Sequence, residues 1–403
     1  MTSDSMTGTE RRASFSLAGI FSLRMLGLFM IYPVFAVFAH KLPDATPTSI
    51  GLALGIYGLS QALFQIPLGM LSDRVGRKPV IAGGLVVFAI GSVLAAVSGS
   101  IYGIILGRLL QGCGAVGSTI LALGADLTRE QHRTKAMAVI GMTIGLSFVV
   151  AMVVGPVLNG WIGVPGIFWL TAVLAGLGIL VLYATVPTPV ESHLQREAEA
   201  VPALFRRVLT DPQLLRLDFG IFAQHAILTA SFLAVPILLV RSGLHVGAEW
   251  YFYLPLLLAS VVVMVPCIII AERGRMKGFF LGGVIAIGLS QLILLFAGGH
   301  LALVALGVLV FFSAFNFLEA SLPSLISRMA PAESRGTAMG IYSSCQFFDM
   351  FVGGVGAGGV QSVWGLPGVF GFGLVIAALW ALVSWSLKVP TRARRGAADP
   401  QAA

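Results

Sequence analysis

The stretch Gly69-Met-Leu-Ser-Asp73-Arg74-Val-Gly76-Arg77-Lys78 places four charged residues and two glycines between two long apolar segments. The apolar segments run from about residue 49 to 71 and from about 79 to 99. Gly76 permits a sharp turn, since glycine adopts backbone conformations that other residues rarely reach. A short basic turn between apolar segments of about 20 residues is typical of two helices that cross a membrane in succession.

The whole chain has the composition of a polytopic membrane protein. Of its 403 residues, 57% are hydrophobic and only 10% are charged, whereas a soluble domain averages about 25% charged residues. Alternating strand patterns do not extend over these lengths, which argues against a β-barrel. The predicted fold class is an all-α membrane protein whose twelve transmembrane helices lie at about 15–38, 49–71, 79–99, 101–125, 136–161, 164–186, 216–241, 249–271, 278–298, 300–326, 336–361 and 364–387.

The basic residues predict the orientation of the chain. With the N-terminus in the cytoplasm, 21 of the 25 Lys and Arg residues fall on the inner side, as the positive-inside rule requires. Both termini are therefore expected to be cytoplasmic, in a multi-pass protein of the bacterial inner membrane. The net charge of +8 lies in short clusters between apolar segments, so no nucleic-acid partner is expected. The three cysteines each lie inside an apolar segment and are interpreted as small buried residues, with no disulfide or metal spacing.

The chain divides into two similar halves. Pro67 precedes Asp73 by the same number of residues as Pro266 precedes Glu272, and Arg133-Thr-Lys-Ala-Met137 corresponds to Arg335-Gly-Thr-Ala-Met339. Two loops that recur about 200 residues apart indicate two parallel repeats. The predicted organisation is a cytoplasmic N-terminal tail (1–14), an N-terminal six-helix bundle (15–186), a cytoplasmic linker (187–215), a C-terminal six-helix bundle (216–387) and a cytoplasmic tail (388–403).

Motifs in both halves resemble those of a known transporter family. The stretch Gly69–Lys78 matches in full the pattern G-x-x-x-D-R-x-G-R-K of major facilitator transporters, and on this match the chain is identified as a member of that family. Arg108-Leu-Leu-Gln-Gly112 resembles the second motif of the family. Leu23–Gly27 and Asn316–Pro323 resemble the YajR-type branch of proton-driven drug exporters. The resemblance implies two pseudo-symmetric six-helix bundles that work by alternating access.

A third motif bears on the direction of transport. Gly155, Pro156 and Gly160 on the fifth segment resemble part of the motif of proton-driven exporters. The match is partial, because Asn159 stands where a glycine is usual.

The resemblance implies that the 69–78 loop forms a gate on the cytoplasmic side. Asp126, at the inner end of the fourth segment, is expected to accept a hydrogen bond from Arg77. Asp73 is expected to face the N-terminus of the eleventh helix, where the helix dipole favours an anion. The alternative is a loop that only directs membrane insertion through its basic residues Arg74, Arg77 and Lys78.

Ionisable residues inside the apolar segments are candidates for proton coupling. A charge near the centre of a bilayer costs about 2.5–3.5 kcal/mol on insertion scales, so it is expected to face a partner or a water-filled cavity. The resemblance implies that the first, fourth, seventh and tenth helices line that cavity. The candidates are Arg24, Arg108, Glu319, Asp349 and His225.

Two interpretations of these residues stay open. A structural ion pair, such as Arg24 with Glu319, is one. The other is a carboxyl group that binds the coupling proton, because burial and a nearby arginine favour opposite protonation states. Asp218, near the inner end of the seventh segment, is expected to be solvated. His225 is a weaker candidate, because a lone histidine in a helix is more often a hydrogen-bonded core residue.

Polar and aromatic residues on the same segments are candidates for the substrate cavity. The alternative, with equal weight, is that they bond between helices, as polar side chains in membranes do. The polar candidates are Tyr32, Gln61, Gln65, Gln111, Gln224, Asn316 and Gln346. Phe29, Phe35, Phe312 and Phe315 would suit a broad apolar ligand, although phenylalanine in a membrane helix usually packs or contacts lipid.

These features predict a secondary active transporter: a proton-coupled exporter of small amphipathic or hydrophobic compounds. The alternatives are a facilitator or symporter of a nutrient or metabolite, or a membrane sensor that uses the same fold. We find no P-loop, no HExxH and no Gly-x-Ser-x-Gly sequence, so neither an enzyme, nor a cofactor, nor a metal site is expected. The expected partners are the substrate, protons and the lipid bilayer, and the protein is expected to be a monomer.

Overall fold

The computed structural model of the protein describes residues 5–188 and 202–389, and both ranges are almost entirely helical. Residues 1–4, 189–201 and 390–403 lie outside the described part. The predicted N-terminal tail, the linker 187–215 and the tail 388–403 therefore fall partly or largely outside it.

Seven helices form the N-terminal half. They are α1 (Gly8–Phe29), α2 (Tyr32–Ala39), α3 (Pro47–Val75), α4 (Arg77–Val97), α5 (Ile101–Cys113), α6 (Gly117–Asp126) and α7 (Glu130–Thr185). A short helix, α8 (Pro202–Leu209), precedes the C-terminal half, which contains α9 (Pro212–Arg241), α10 (Glu249–Ile270), α11 (Met276–Leu295), α12 (Leu301–Met329) and α13 (Arg335–Trp385).

These helices make twelve membrane crossings. Within the described ranges, nine apolar helical stretches are long enough to span a bilayer. Three of them have 47, 51 and 56 residues, and each makes two crossings, because about 20 residues suffice for one. Each of the three is broken at a glycine with positive φ: Gly163 (66°), Gly274 (101°) and Gly365 (66°). The predicted fold class, with two six-helix halves, is confirmed.

The turns at Gly163 and Gly365 occupy equivalent places in the two halves. Each joins the last two crossings of its half without a loop, and each glycine is followed after one residue by a proline, Pro165 or Pro367. Their positive φ is combined with ψ values of 175° and −163°, a backbone conformation that is essentially restricted to glycine.

One end of the bundle carries most of the basic loops. Contacts bring these loops together: Arg129 Nε donates to Glu10 Oε1 at 2.9 Å, and Lys78 Nζ donates to the carbonyl oxygen of Val186 at 2.5 Å. We call this end the basic face, defined by Arg74, Arg77, Lys78 and Arg129, and the other end the opposite face. Helix α1 begins at Gly8, so residues 8–14 of the predicted tail are helical.

The two halves meet along a seam of glycines between α3 and α13. A Cβ on Gly51 would overlap the backbone of Gly354, and a Cβ on Gly358 would lie 2.5 Å from the carbonyl oxygen of Pro47. Helix backbones approach this closely in membranes only where residues are small. The seam lies in the part of α3 that starts at the opposite face, so the halves are closed at that face.

The halves are separated towards the basic face. Gly336 and Gly340, in the first turns of α13, have open space where a side chain would project. The side chain of Glu319, in the middle of the fold, retains 34% of its exposure. The structure is therefore open towards the basic face.

Candidate functional site

A cluster of ionisable and amide side chains lies inside the C-terminal half, at the inner end of this opening. Gln224 Nε2 donates to Glu319 Oε2 at 3.0 Å, and Gln346 Nε2 donates to Glu319 Oε1 at 3.2 Å. The Nε2 atom of His225 lies 3.5 Å from Glu319 Oε2. We call Gln224, His225, Glu319, Gln346 and Asp349 the acid cluster.

Asp349 is the buried end of the acid cluster. Its carboxylate lies 3.7 Å from His225 Nδ1, and its side chain is 0% exposed. Neither carboxylate oxygen has a hydrogen-bond partner. A buried carboxylate without donors is unfavourable while it is charged. His225 therefore lies between the buried carboxyl group of Asp349 and the partly exposed carboxyl group of Glu319. The three side chains form a continuous group of potential proton acceptors.

Three helices build the acid cluster. Gln224 and His225 come from α9, Glu319 from α12, and Asp349 with Gln346 from α13. Positions 346 and 349 are three residues apart, so they share one face of α13. The sequence-predicted candidates His225, Glu319 and Asp349 are thus brought together in one site.

Aromatic side chains from both halves pack between the acid cluster and the opposite face. Tyr32 and Phe148 of the N-terminal half contact Phe232, with ring centroids 5.4 and 6.2 Å apart. Phe148 also stacks on Phe315 at 6.4 Å, and Phe315 meets the His225 ring edge-to-face at 5.4 Å. The aromatic cluster, defined as Phe29, Tyr32, Phe148, Phe232, Phe312 and Phe315, forms the closed floor of the opening.

The N-terminal half contains a separate network around Arg24. Its guanidinium donates to Gln61 Oε1 at 2.5 Å and to the carbonyl oxygen of Gly114 at 3.3 Å, and it is 1% exposed. The same guanidinium lies 5.8 and 5.4 Å from the ring centroids of Tyr57 and Phe88, within cation–π range. The ion pair between Arg24 and Glu319, one of the two interpretations open from the sequence, is therefore not formed in this structure. Arg24 instead hydrogen-bonds to residues of the N-terminal half.

Arg108 has the character of a structural residue. It donates to Gln111 Oε1 at 2.8 Å and to the carbonyl oxygen of Ala53 at 3.3 Å, and it is 1% exposed. Gln111 in turn donates to Ser92 Oγ at 2.8 Å. These bonds join α3, α4 and α5, so Arg108 and Gln111 link helices in this structure.

The other polar candidates divide between the two halves. Gln61 donates to Gln65 at 3.2 Å within the Arg24 network, and Gln346 belongs to the acid cluster. Asn316 donates to Ser260 Oγ at 2.9 Å and so joins α12 to α10. Asp218 is only 3% exposed, so the expectation that it is solvated is wrong.

The loop that connects α3 and α4 is tied to its own half. Arg77 Nε donates to Asp126 Oδ2 at 3.1 Å, the contact expected from the sequence. Arg77 also pairs with Asp73 and donates to Ser72 Oγ at 2.6 Å. Asp73 is therefore paired within the N-terminal half, while the first turns of α13 border open space.

The glycine–proline motif on α7 lies where the halves meet at the opposite face. A Cβ on Gly155 would overlap the carbonyl oxygen of Met30, at the break between α1 and α2. A Cβ on Gly247, just before α10, would lie 3.7 Å from Gly160 and 3.8 Å from the carbonyl oxygen of Pro156. The motif thus borders the break between α1 and α2, and it also lies against Gly247, just before α10 in the other half.

The aromatic floor is the part of the site that the sequence did not reveal in full. Phe29, Phe312 and Phe315 were among the candidates, whereas Phe148 and Phe232 were not. The chain contains 26 phenylalanines, and no local pattern distinguishes those that cross between the halves from those that face lipid.

Comparison with known proteins agrees with this architecture. The family model described as Major Facilitator Superfamily matches residues 17–272 and 248–403. The chain is 46% identical over 386 residues to the inner membrane transport protein YajR of Escherichia coli (strain K12), an alignment that covers 96% of this chain and 85% of that protein. It is 31% identical over 144 residues to the tetracycline resistance protein, class B, of Escherichia coli, 35% of each chain. A bacterial homolog of the human lysosomal transporter Spinster has a TM-score of 0.77 at 16% identity, over 94% of this chain and 97% of that structure.

Proposed function

Because this chain belongs to the Major Facilitator Superfamily, we propose that it is a secondary transporter that exports small amphipathic or hydrophobic compounds in exchange for protons. The observation that carries the proposal is the position of the acid cluster. His225, Glu319 and Asp349 lie at the inner end of an opening whose floor is aromatic. A compound that enters this opening meets apolar rings and ionisable groups together.

The contact between the two clusters supports coupling of the proton to the substrate. Phe315 touches His225 on one side and Phe148 of the other half on the other. A change of charge among His225, Glu319 and Asp349 therefore acts on a ring that belongs to the interface between the halves. In antiport, the proton and the substrate favour opposite states of that interface, and the gradient of one drives the other.

The similarity to the tetracycline resistance protein supports the exporter direction. The glycine–proline motif of α7, which resembles that of exporters, supports it as well. We place the protein in the bacterial inner membrane with both termini in the cytoplasm, because the basic face then lies on the side that the positive-inside rule assigns to Lys and Arg. The structure is then open towards the cytoplasm, where an exporter takes up its substrate.

Two substitutions test the role of the 69–78 loop as a gate. Asp73→Asn and Arg77→Ala are each expected to impair transport while the protein still inserts and purifies as a folded monomer. Asp73 and Arg77 hold the start of α4 against Asp126, and in the closed state Asp73 is proposed to face the N-terminus of α13. The measurement is the transport rate of equal amounts of purified variant in liposomes.

Arg11→Ala is the matched control, since it removes one exposed positive charge from the same face. If the loop only directs insertion, Arg11→Ala and Arg77→Ala reduce the inserted amount alike, and the rate per inserted molecule stays normal. Normal rates in both Asp73→Asn and Arg77→Ala would end the gate interpretation.

Reconstitution tests the proposed function itself. Liposomes that contain the purified chain and a trapped pH dye are given an imposed pH gradient, and ethidium, tetracycline and a set of other aromatic amphiphiles are added in turn. An antiporter moves protons only when its substrate is present, and the compound moves against the proton flux. Movement of compound and protons in the same direction would instead show a symporter, and movement unaffected by the gradient would show a facilitator.

A further inference from the structure

A second buried carboxylate lies between the acid cluster and the basic face. Asp218 is 3% exposed, and neither of its carboxylate oxygens has a hydrogen-bond partner. The hydroxyl group of Tyr342 is also without a partner, and Tyr342 is 3% exposed. Buried polar groups are usually hydrogen-bonded, so a pair of unpaired groups inside one half calls for an explanation.

Helical geometry places Asp218 and Tyr342 at the same depth. Helices α9 and α13 pack against each other and both start at the basic face, at Pro212 and Arg335. Asp218 is six residues from the start of α9, and Tyr342 is seven residues from the start of α13. At about 1.5 Å per residue, both lie about 10 Å from the helix starts.

The acid cluster lies two helical turns further in. His225 follows Asp218 by seven residues, and Asp349 follows Tyr342 by seven residues. Seven residues are close to two turns, so each later residue lies on the same face of its helix as the earlier one, about 10 Å away. The two helices thus carry two matching levels of ionisable groups, with His225 and Asp349 at the inner level.

Electrostatics link the two levels. Tyr342 lies within electrostatic range of Asp218, Glu319 and Asp349. Cys345, one turn from Tyr342, lies within range of Asp218 and Asp349. Arg216, the basic residue closest in sequence to Asp218, donates to the carbonyl oxygen of Pro212 at the helix start and leaves Asp218 unpaired. Tyr342 and Cys345 therefore both lie within range of the two levels, and the tyrosine hydroxyl is the stronger hydrogen-bond donor and acceptor of the two.

We infer that Asp218 and Tyr342 form the proton route between the acid cluster and the basic face. The inference rests on the proposed proton coupling. In the release direction, the Asp349 carboxyl group gives its proton through a bridging water to the oxygen of Tyr342, and Tyr342 gives its own hydroxyl proton through a second water to the Asp218 carboxylate, since the three groups do not contact one another directly. One O–H bond breaks and one forms at each step, Tyr342 ends neutral, and Asp349 ends as a carboxylate. Asp218 then gives the proton to water at the basic face.

The test uses the proton itself as the ligand. The full chain in phospholipid nanodiscs is titrated with acid while the infrared carbonyl stretch of protonated carboxyl groups is recorded. Asp218→Asn is expected to remove one component of that band, and Tyr342→Phe is expected to keep the component and shift its frequency. After a pulse of light-released acid, the component of the buried Asp349 is expected to appear at least tenfold more slowly in both variants, whereas that of Glu319, which is 34% exposed in the opening, is expected to appear at an unchanged rate.

Asp211→Asn is the matched control, because it neutralises an acid at the start of the same helix and asparagine retains the helix cap. The inference is overturned if Asp218→Asn leaves the band unchanged, or if Asp349 is protonated as fast in both variants as in the unsubstituted protein. Tyr342→Phe keeps the test decisive if Asp218→Asn fails to fold. Failure of the proposed function gives a different result: Glu319→Gln and Asp349→Asn then remove no component from the band.

Discussion

Proteoliposomes with Glu319→Gln or Asp349→Asn are expected to lose accumulation of the transported dye driven by a pH gradient, while dye still exchanges between the two sides. One pH unit is worth about 1.4 kcal/mol per proton, which supports about a tenfold accumulation of a neutral compound. Each variant removes one carboxyl group that contacts His225. Without a protonation step in the transport cycle, the pH gradient cannot drive transport. The ratio of the dye concentrations on the two sides of the membrane is then expected to fall to about one.

Exchange of labelled for unlabelled dye separates a loss of coupling from a loss of structure. Glutamine and asparagine preserve the shape of the side chains and leave the aromatic cluster in place, so binding and alternating access continue. Asp44→Asn is the matched control. It neutralises an exposed acid in the turn between α2 and α3 at a φ of 58°, which asparagine tolerates. Gradient-driven accumulation that survives in both Glu319→Gln and Asp349→Asn would show that neither carboxyl group is the coupling site.

The second large effect is expected from the glycine seam. Gly354→Val places a branched side chain against the backbone of Gly51, where even a single Cβ overlaps. Overpacking costs about 1–3 kcal/mol, which changes the ratio of two states by about 5- to 150-fold. The overlap exists only while the opposite face is closed. The substitution is therefore expected to favour opening of the opposite face and to slow transport by at least the same factor.

Cysteine labelling measures this change directly. The three native cysteines are replaced by serine, and Ala357, which is fully buried in the structure, is replaced by cysteine. Reaction with a membrane-impermeant maleimide is expected to be faster with Gly354→Val than without it. Gly359→Val is the control, because open space surrounds that glycine on the same helix. Equal labelling rates in the two valine variants would mean that the seam does not control closure.

The crossings were predictable because each depends on local composition. The predicted segment 249–271 corresponds to α10 at Glu249–Ile270, and the predicted segment 79–99 to α4 at Arg77–Val97. The start of α1 was not predictable in the same way. Thr7 and Glu10 form a capping box, and Glu10 also binds Arg129 of a distant loop. Polar residues that look like a tail are thus stabilised as a helix by a tertiary contact.

The residues of the candidate site were more predictable than their contacts. His225, Glu319 and Asp349 stand out because ionisable residues are rare in apolar segments. Their partners depend on the rotation of each helix about its axis, and one residue turns a side chain by about 100°. The considered pairing of Arg24 with Glu319 failed for this reason, since the side chain of Arg24 turns towards Gln61.

The burial of Asp218 could not be predicted from the sequence either. Six residues separate it from the start of α9, a distance at which a side chain on the outer surface would reach water. Asp218 is buried because α13 packs closely on this part of α9. The sequence of α9 alone does not predict this packing, since α13 begins more than 100 residues later.

The turns at Gly163 and Gly365 have a consequence for how the protein is made. Each joins two apolar helices through a short turn that contains no charged residue. An exposed tryptophan, Trp161 or Trp364, lies next to each turn. Tryptophan favours the boundary between lipid and water. We therefore expect the last two helices of each half to insert into the bilayer together, as one hairpin, once both have been synthesised.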